Sequence, residues 1–334
     1  VLRSRYHGAL IVTAALAGRR RQCHATPQSP PEPLMSFKDQ VVIVTGAGSG
    51  LGRAHALGFA ARGARVLVND LGADGVPSAN ARAVVAEIEE AGGCALADGA
   101  DVGDPAAAQA AVDRALQAWG RVDVLVANAG ILQDKSFAKM TSESFAQVVR
   151  VHLLGSANFA RAVWAPMRAQ NYGRIVFTSS ASGLYGNFGQ ANYGAAKTAL
   201  VGLMNVLHLE GEKSNIRVNT LVPIAATAMT RDLLPEAALS RLAPECVTPA
   251  VLFLAGKDGP SRVIMSAGAG VFNVTHIQEG PGVFLPESRR TPEDIAAHFA
   301  QIASSADLAP VEGAFQQTQK FLALAIAADE TAGR

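Results

Sequence analysis

The spacing of hydrophobic positions changes period along the chain, and the changes mark alternating strands and helices. Val41-Val42-Ile43-Val44-Thr45 is an unbroken apolar, β-branched run, the pattern of a strand covered on both faces. A glycine-rich turn from Gly46 to Gly52 follows, and then Arg53 to Arg62 in helical spacing. Further strand-like runs are Arg65 to Asn69, Cys94 to Asp98, Val122 to Val126, Arg174 to Thr178 and Ile216 to Val222. Strands that alternate with helical stretches predict an α/β protein with a single doubly wound parallel sheet and helices on both faces. No shift in composition marks a second domain, so residues 35–290 are expected to form one domain. Residues 291–334 are expected to extend it, with helices from Thr291 and from Phe315 to Ala328 that serve packing or a dimer surface.

Residues 1–34 do not share this pattern. They hold five arginines, no acid before Glu32, a short apolar run from Ala9 to Ala17, and the prolines Pro27, Pro30, Pro31 and Pro33. They read as a disordered leader, either an Arg-rich presequence or sequence translated from upstream of Met35. The apolar run is too short to span a bilayer.

The first strand, glycine turn and helix occur in the order a dinucleotide site requires. Glycines let the backbone approach a pyrophosphate, and the free N–H groups at a helix start favour the anion. The candidate residues are Gly46, Ser49, Gly50, Leu51 and Gly52; their spacing, Thr-Gly-x-x-x-Gly-x-Gly, departs from G-x-G-x-x-G. A glycine cluster alone also suits an ordinary loop. The second strand, however, ends in Asp70, eighteen residues past Gly52, where an acid accepts hydrogen bonds from the adenosine ribose. That acid repels a 2′-phosphate, which favours NAD over NADP. Asp70 also suits a turn before Leu71-Gly72. Later strand ends add Asp101-Val102 and Asn128-Ala129-Gly130, whose small residues would let a flat ring pass the backbone.

Chemistry enters with Thr178 to Lys197. Tyr193 and Lys197 lie four apart, on one face of a helix, and Ser180 ends the apolar strand thirteen residues before Tyr193. A cation beside a phenol favours phenolate and would draw its pKa down from about 10. Tyr-x-x-x-Lys by itself is also the pattern of a solvated helix face.

Taken together, Thr45-Gly46-x3-Gly50-x-Gly52, Asn128-Ala129-Gly130, Ser180 and Tyr193-x3-Lys197 resemble the short-chain dehydrogenase/reductase family over roughly residues 38–270. The resemblance implies a Rossmann-type fold and an NAD-dependent enzyme that interconverts a secondary alcohol and a ketone. It makes Tyr193 the proton-exchanging group, Lys197 the residue that lowers its pKa and binds the nicotinamide ribose, and Ser180 the hydrogen-bond donor to the substrate oxygen. Asn69 to Gly72, Gly130 to Ala138, Arg150 to Leu153 and Ser179 to Lys197 further resemble the (3R)-hydroxyacyl-CoA dehydrogenase unit of the type 2 peroxisomal multifunctional enzymes. The implied substrate is an acyl-CoA, and the implied assembly a homodimer or homotetramer. A steroid, another alcohol or a 3-oxoacyl carrier-protein thioester are alternative substrates, and a non-catalytic NAD-binding scaffold or sensor is the alternative class.

Two positions depart from the wider family. His152 stands where an asparagine usually supports a proton relay, so it is a candidate catalytic residue or a structural one. Ile224 replaces the glycine of a Pro-Gly turn beside the nicotinamide, so this turn is expected to differ. The following segment, Met229 to Pro249, reads either as a mobile apolar lid or as a packed helix.

Composition adds exclusions. A net charge of +1 in 334 residues argues against nucleic acid or an anionic membrane as the main partner. Cys23, Cys94 and Cys246 have no metal-ligand spacing, and no metal site is expected. The expected location is cytoplasmic, or organellar if residues 1–34 act as a presequence.

Overall fold

The computed structural model describes residues 35–225 and 240–332. The leader expected at residues 1–34 lies outside the described residues, as does most of the segment read as a lid or helix.

The element order begins β1 (Val41–Thr45), α1 (Gly50–Ala60), β2 (Arg65–Asn69), α2 (Ala79–Glu90), β3 (Cys94–Asp98), α3 (Pro105–Trp119) and β4 (Val124–Ala127). It continues with α4 (Ser142–Val149), a π-helical turn (Arg150–Leu154), α5 (Gly155–Gln170), β5 (Gly173–Thr178), α6 (Ala181–Tyr185), α7 (Ala191–Gly211) and β6 (Ile216–Pro223). After the undescribed stretch come α8 (Thr248–Ala255), β7 (Ile264–Gly268), β8 (Val271–Thr275), β9 (Gln278–Glu279), α9 (Pro292–Ile302), β10 (Ala309–Pro310) and α10 (Ala314–Ala332).

Eight strands form one sheet in the order β3-β2-β1-β4-β5-β6-β7-β8. The first seven run parallel, and the crossing from β1 to β4 opens a crevice at the carboxyl ends of the strands, where ligands of such sheets bind. The eighth strand pairs antiparallel with β7, which the strand and helix pattern had not separated. Ala269 and Gly270 both have positive φ, 51° and 77°, and this two-residue turn matches the twist of a tight hairpin.

The two-sided burial of β1 follows from its sequence. Val41 and Ile43 enter one core with α3, α5 and α7, while Val42 and Val44 enter the other with α1, α2 and α8. Helix starts use local chemistry: the Ser78, Asp104, Thr141 and Thr291 side chains each accept a backbone N–H in the first turn. The final part is tied on by Arg262 to Glu312 at 2.7 Å, by Lys320 to Glu279 at 3.3 Å, and by the β9–β10 pair.

Candidate active site

The residues singled out for cofactor binding lie at or just beyond the carboxyl ends of strands, except Tyr193 and Lys197, which lie on α7. Beyond β1, Gly46 and Gly50 take φ of 62° and 52°, the left-handed region open to glycine. Ser49 occupies the N-cap of α1 without capping it through its side chain, so the first amides of that helix, from Gly50 to Gly52, follow directly on the turn. Gly48 lies so close to the β2 end that a Cβ there would meet Asp70 Oδ2 at 2.4 Å. A glycine-rich turn, an open helix start and one acid beside them are features that fit a dinucleotide.

The turn after β4 is bound to the same place. The N–H groups of Asn128 and Ala129 both donate to Thr45 Oγ1 at 3.0 Å, and Asn128 Nδ2 donates to the carbonyls of Thr45 at 3.1 Å and Gly46 at 3.3 Å. Asn128 therefore fixes the crevice wall. Asp101 and Val102, beyond β3, are held from another side. Arg150 Nη2 donates to Asp101 Oδ2 at 2.6 Å, Gly103 N to Asp101 Oδ1 at 2.8 Å, and Asn158 Nδ2 to the Val102 carbonyl at 2.9 Å. Burial alone would raise the Asp101 carboxyl, but the bonds from Arg150 and Gly103 and the charge of Arg150 hold it below the usual range.

Ser180, Tyr193 and Lys197 are brought together at the end of β5. Ser180 is the N-cap of α6, and its Oγ accepts the Ser182 N–H at 3.2 Å. Tyr193 and Lys197 lie one turn apart on α7, with the ammonium 5.6 Å from the centre of the phenol ring. Lys197 is buried; Nζ donates to the Thr178 carbonyl at 2.5 Å, and its own carbonyl accepts from Ser179 Oγ at 2.8 Å. Burial lowers its pKa from 10.5 to about 7. Burial also pushes the Tyr193 phenol above 10, with Ser180 acting downward and Asp134 upward. A lysine beside the phenol was expected to draw its pKa down. Here desolvation dominates both groups.

His152 lies in the π-helical turn, nearly buried, with its ring edge-to-face on Tyr193 at 5.0 Å between centroids and 89° between planes. Its Nε2 lies 2.7 Å from the Ile131 carbonyl and 3.1 Å from the Ile131 nitrogen, so it donates to the one or accepts from the other according to the tautomer. Gly130 makes room for the imidazole, since a Cβ there would come within 2.3 Å of Cε1. Burial, then the Lys197 charge, lower the His152 pKa to about 3, against a smaller upward pull from Ile131, so the ring is neutral near pH 7. No hydrogen bond joins it to Tyr193 or Lys197 among the described residues.

Ile224 takes an ordinary φ and donates its N–H to the Ala267 carbonyl at 2.8 Å, which extends the β6–β7 pairing by one bond. The missing glycine is thus accommodated by continued strand.

Several supporting residues were not apparent from sequence. Asn192 accepts the Tyr193 N–H on Oδ1 at 2.7 Å and donates to the Gln133 carbonyl at 3.1 Å, tying the loop after β4 to the start of α7. Ser78 and Arg150 hold Asp70 and Asp101. Ser78 carries a readable signal, a serine before a helical run; the partners of the other two depend on the fold.

This arrangement defines the class, and residues 40–238 match the short chain dehydrogenase family: the chain belongs to it, an oxidoreductase acting on CH–OH groups of small molecules with a nicotinamide cofactor. Among individual relatives it is 53% identical over 275 residues to the peroxisomal multifunctional enzyme type 2 of Mus musculus, a match that covers 80% of this chain and 37% of that protein. The structure of the full-length peroxisomal multifunctional enzyme type 2 from Drosophila melanogaster superposes with a TM-score of 0.75 at 34% identity, covering 88% of this chain and 50% of the other. A 7α-hydroxysteroid dehydrogenase complexed with NADH and 7-oxo glycochenodeoxycholic acid gives a TM-score of 0.65 at 28% identity, over 70% of this chain and 95% of that one. The chain thus spans about half or less of the length of these two multifunctional enzymes. Among the described residues no helix is long and apolar enough to cross a membrane, and no cluster of His, Cys, Asp or Glu could hold a metal ion.

Proposed function

We propose that the chain interconverts (3R)-3-hydroxyacyl-CoA and 3-oxoacyl-CoA with NAD. One observation carries the reading: Ser180, Tyr193 and Lys197 meet at the end of β5, in a chain 53% identical over 275 residues to a peroxisomal multifunctional enzyme type 2. Bound NAD would supply the hydride acceptor. Gly46, Ser49, Gly50, Leu51 and Gly52 would hold its pyrophosphate, Asp70 its adenosine ribose, and Asp101 and Val102 its adenine. Asn128, Ala129 and Gly130 would line the nicotinamide end.

The residues around the substrate divide the proton work. Ser180 holds the substrate oxygen, and Tyr193 takes its proton in the oxidation direction and returns it in reduction. Lys197 lies close enough to stabilise phenolate and to bind the nicotinamide ribose. His152, neutral and packed on the phenol edge, keeps Tyr193 aimed; this reading supports a positioning place for it more than a proton relay.

The NAD preference rests on Asp70, whose charge opposes a 2′-phosphate. A homodimer or homotetramer is supported by exposed apolar side chains on β8 and α10, among them Val271, Phe272, Phe315 and Phe321. Residues 291–334 belong with the catalytic domain in this reading. A cytoplasmic or an organellar location is separated by following the tagged chain with residues 1–34 kept or removed.

The test is a substrate panel with both nicotinamide cofactors. Activity on 3-hydroxyacyl-CoA with NAD is expected; activity confined to hydroxysteroids, or to carrier-protein thioesters with NADP, overturns the proposal. Tyr193→Phe separates an enzyme from a scaffold: turnover is expected to fall while NADH still binds.

A further inference from the structure

We propose that Ser78 is a positioning residue that locks the Asp70 carboxylate and thereby strengthens the preference for a free ribose 2′-hydroxyl over a 2′-phosphate. The inference rests on the NAD reading above and adds a second residue to it.

Ser78 makes three bonds that converge on one acid and one helix start. Its Oγ donates to Asp70 Oδ2 at 2.5 Å and accepts the Ala81 N–H at 2.9 Å, while its own N–H donates to the Asp70 carbonyl at 3.1 Å. A serine hydroxyl has one proton to give. Here it goes to Asp70, so it is not offered to a phosphate oxygen. The oxygen that receives it is also the one that faces Gly48, where a Cβ would approach to 2.4 Å. Oδ2 is thus pinned between the glycine turn and Ser78, and Oδ1, which takes no hydrogen bond from the described residues, is the oxygen presented to a ligand.

The loop between Asp70 and Ser78 keeps the serine from drifting. Leu71 and Pro77 form an antiparallel bridge, the Val76 N–H donates to the Ala73 carbonyl at 2.9 Å, and Arg82 Nη1 donates to the Pro77 carbonyl at 2.6 Å. The closed loop brings residue 78 back beside residue 70. A carboxylate held this way meets a ribose diol in one orientation and cannot swing aside for an added phosphate. Without the hydroxyl, Asp70 is free to rotate toward solvent, and the amides at the α2 start lose their serine acceptor. Both changes lessen the repulsion of a 2′-phosphate.

The test uses the full chain and two adenosine fragments that differ only by that phosphate: AMP and adenosine 2′,5′-bisphosphate, titrated calorimetrically. The wild-type chain is expected to bind AMP more tightly. In Ser78→Ala and Ser78→Gly the AMP-to-bisphosphate affinity ratio should fall about tenfold, the scale of one hydrogen bond to a charged group. Glycine is itself tolerated at an N-cap, so Ser78→Gly removes the hydroxyl while sparing the stability of the α2 start. Ser78→Thr, which keeps the hydroxyl, should restore the ratio. Melting temperatures report folding separately, and a purely structural role would weaken both ligands alike. An unchanged ratio in Ser78→Gly and Ser78→Ala overturns the lock while leaving the NAD reading intact. A wild-type chain that prefers the bisphosphate, or binds neither fragment, overturns the NAD reading and the lock with it.

Discussion

Lys197 is buried and Tyr193 half-buried, and burial moves their pKa values apart: the ammonium down to about 7, the phenol above 10. In oxidation Tyr193 must give up its own proton first, so the rate should rise with pH. Replacing Lys197 by Met removes the buried amine beside the phenol and should lower kcat/KM, read from steady-state assays. Tyr193→Phe should cost about 10²- to 10⁴-fold in turnover and leave NADH fluorescence titrations little changed. Two buried histidines link the residue scale to stability. His55 donates or accepts only at Nδ1, 3.0 Å from Thr248 Oγ1, and burial lowers its pKa to about 3; His152 reaches a similar value. Between the ordinary 6.5 and about 3 the unfolded chain binds more protons, so stability is complete above pH 6.5 and falls as the pH drops. The slope is about 1.4 kcal/mol per pH unit for each histidine. Denaturant titrations of His55→Gln should show a shallower acid loss than the wild type. Tyr193, Lys197, Ser180 and Asp70 were legible because a fixed spacing or a strand end carries their meaning. The pKa directions of Tyr193 and Lys197 were not legible, because desolvation depends on what packs over them.

The π-helical turn between α4 and α5 joins two parts of the site. Arg150 at its start bonds to Asp101, and His152 within it packs against Gly130, Ile131 and Tyr193. Gly130→Ala places a methyl 2.3 Å from the imidazole as it stands. Relief requires His152 or the loop to move, so a stability loss of about 1–3 kcal/mol and a drop in kcat are expected together, measured by melting and by steady-state assay. At the opposite end of the sheet, Arg174 is fully buried and donates to the carbonyls of Gly173, Asn215, Gly256 and Lys257 at 2.6 to 3.1 Å. It ties β5 to the segment after α8. Arg174→Met should cost about 3 kcal/mol or more by stranding these acceptors, with cofactor contacts left in place. Helix and strand positions were readable from periodicity and capping. The π turn was not; nor was the strand extension at Ile224, which depends on Ala267 across the ladder.

Across the molecule, the sheet order places β1 and β4 side by side and so brings the ends from Thr45, Asp70, Asp101, Asn128, Ser180 and Pro223 to one edge. Alternating strands and helices made that edge foreseeable, because strands joined by helical crossovers run parallel and so put their carboxyl ends on one side. The tail was less so: α9 and α10 were expected, but their attachment through Arg262, Glu312, Lys320 and Glu279 is long-range. Between the tail and α7 lies a cavity of about 500 Å³ bordered by Met204, His208, Arg262, Val274 and Gln317, away from Tyr193 and Lys197. For the oligomer proposed above, with Phe272, Phe315 and Phe321 exposed on the single chain, light scattering should give a mass of two or four chains. The most direct measurement is NAD reduction by the purified chain supplied separately with (3R)- and (3S)-3-hydroxyacyl-CoA. Reduction with the R isomer alone is the expected result; turnover of the S isomer alone, or of neither, contradicts it.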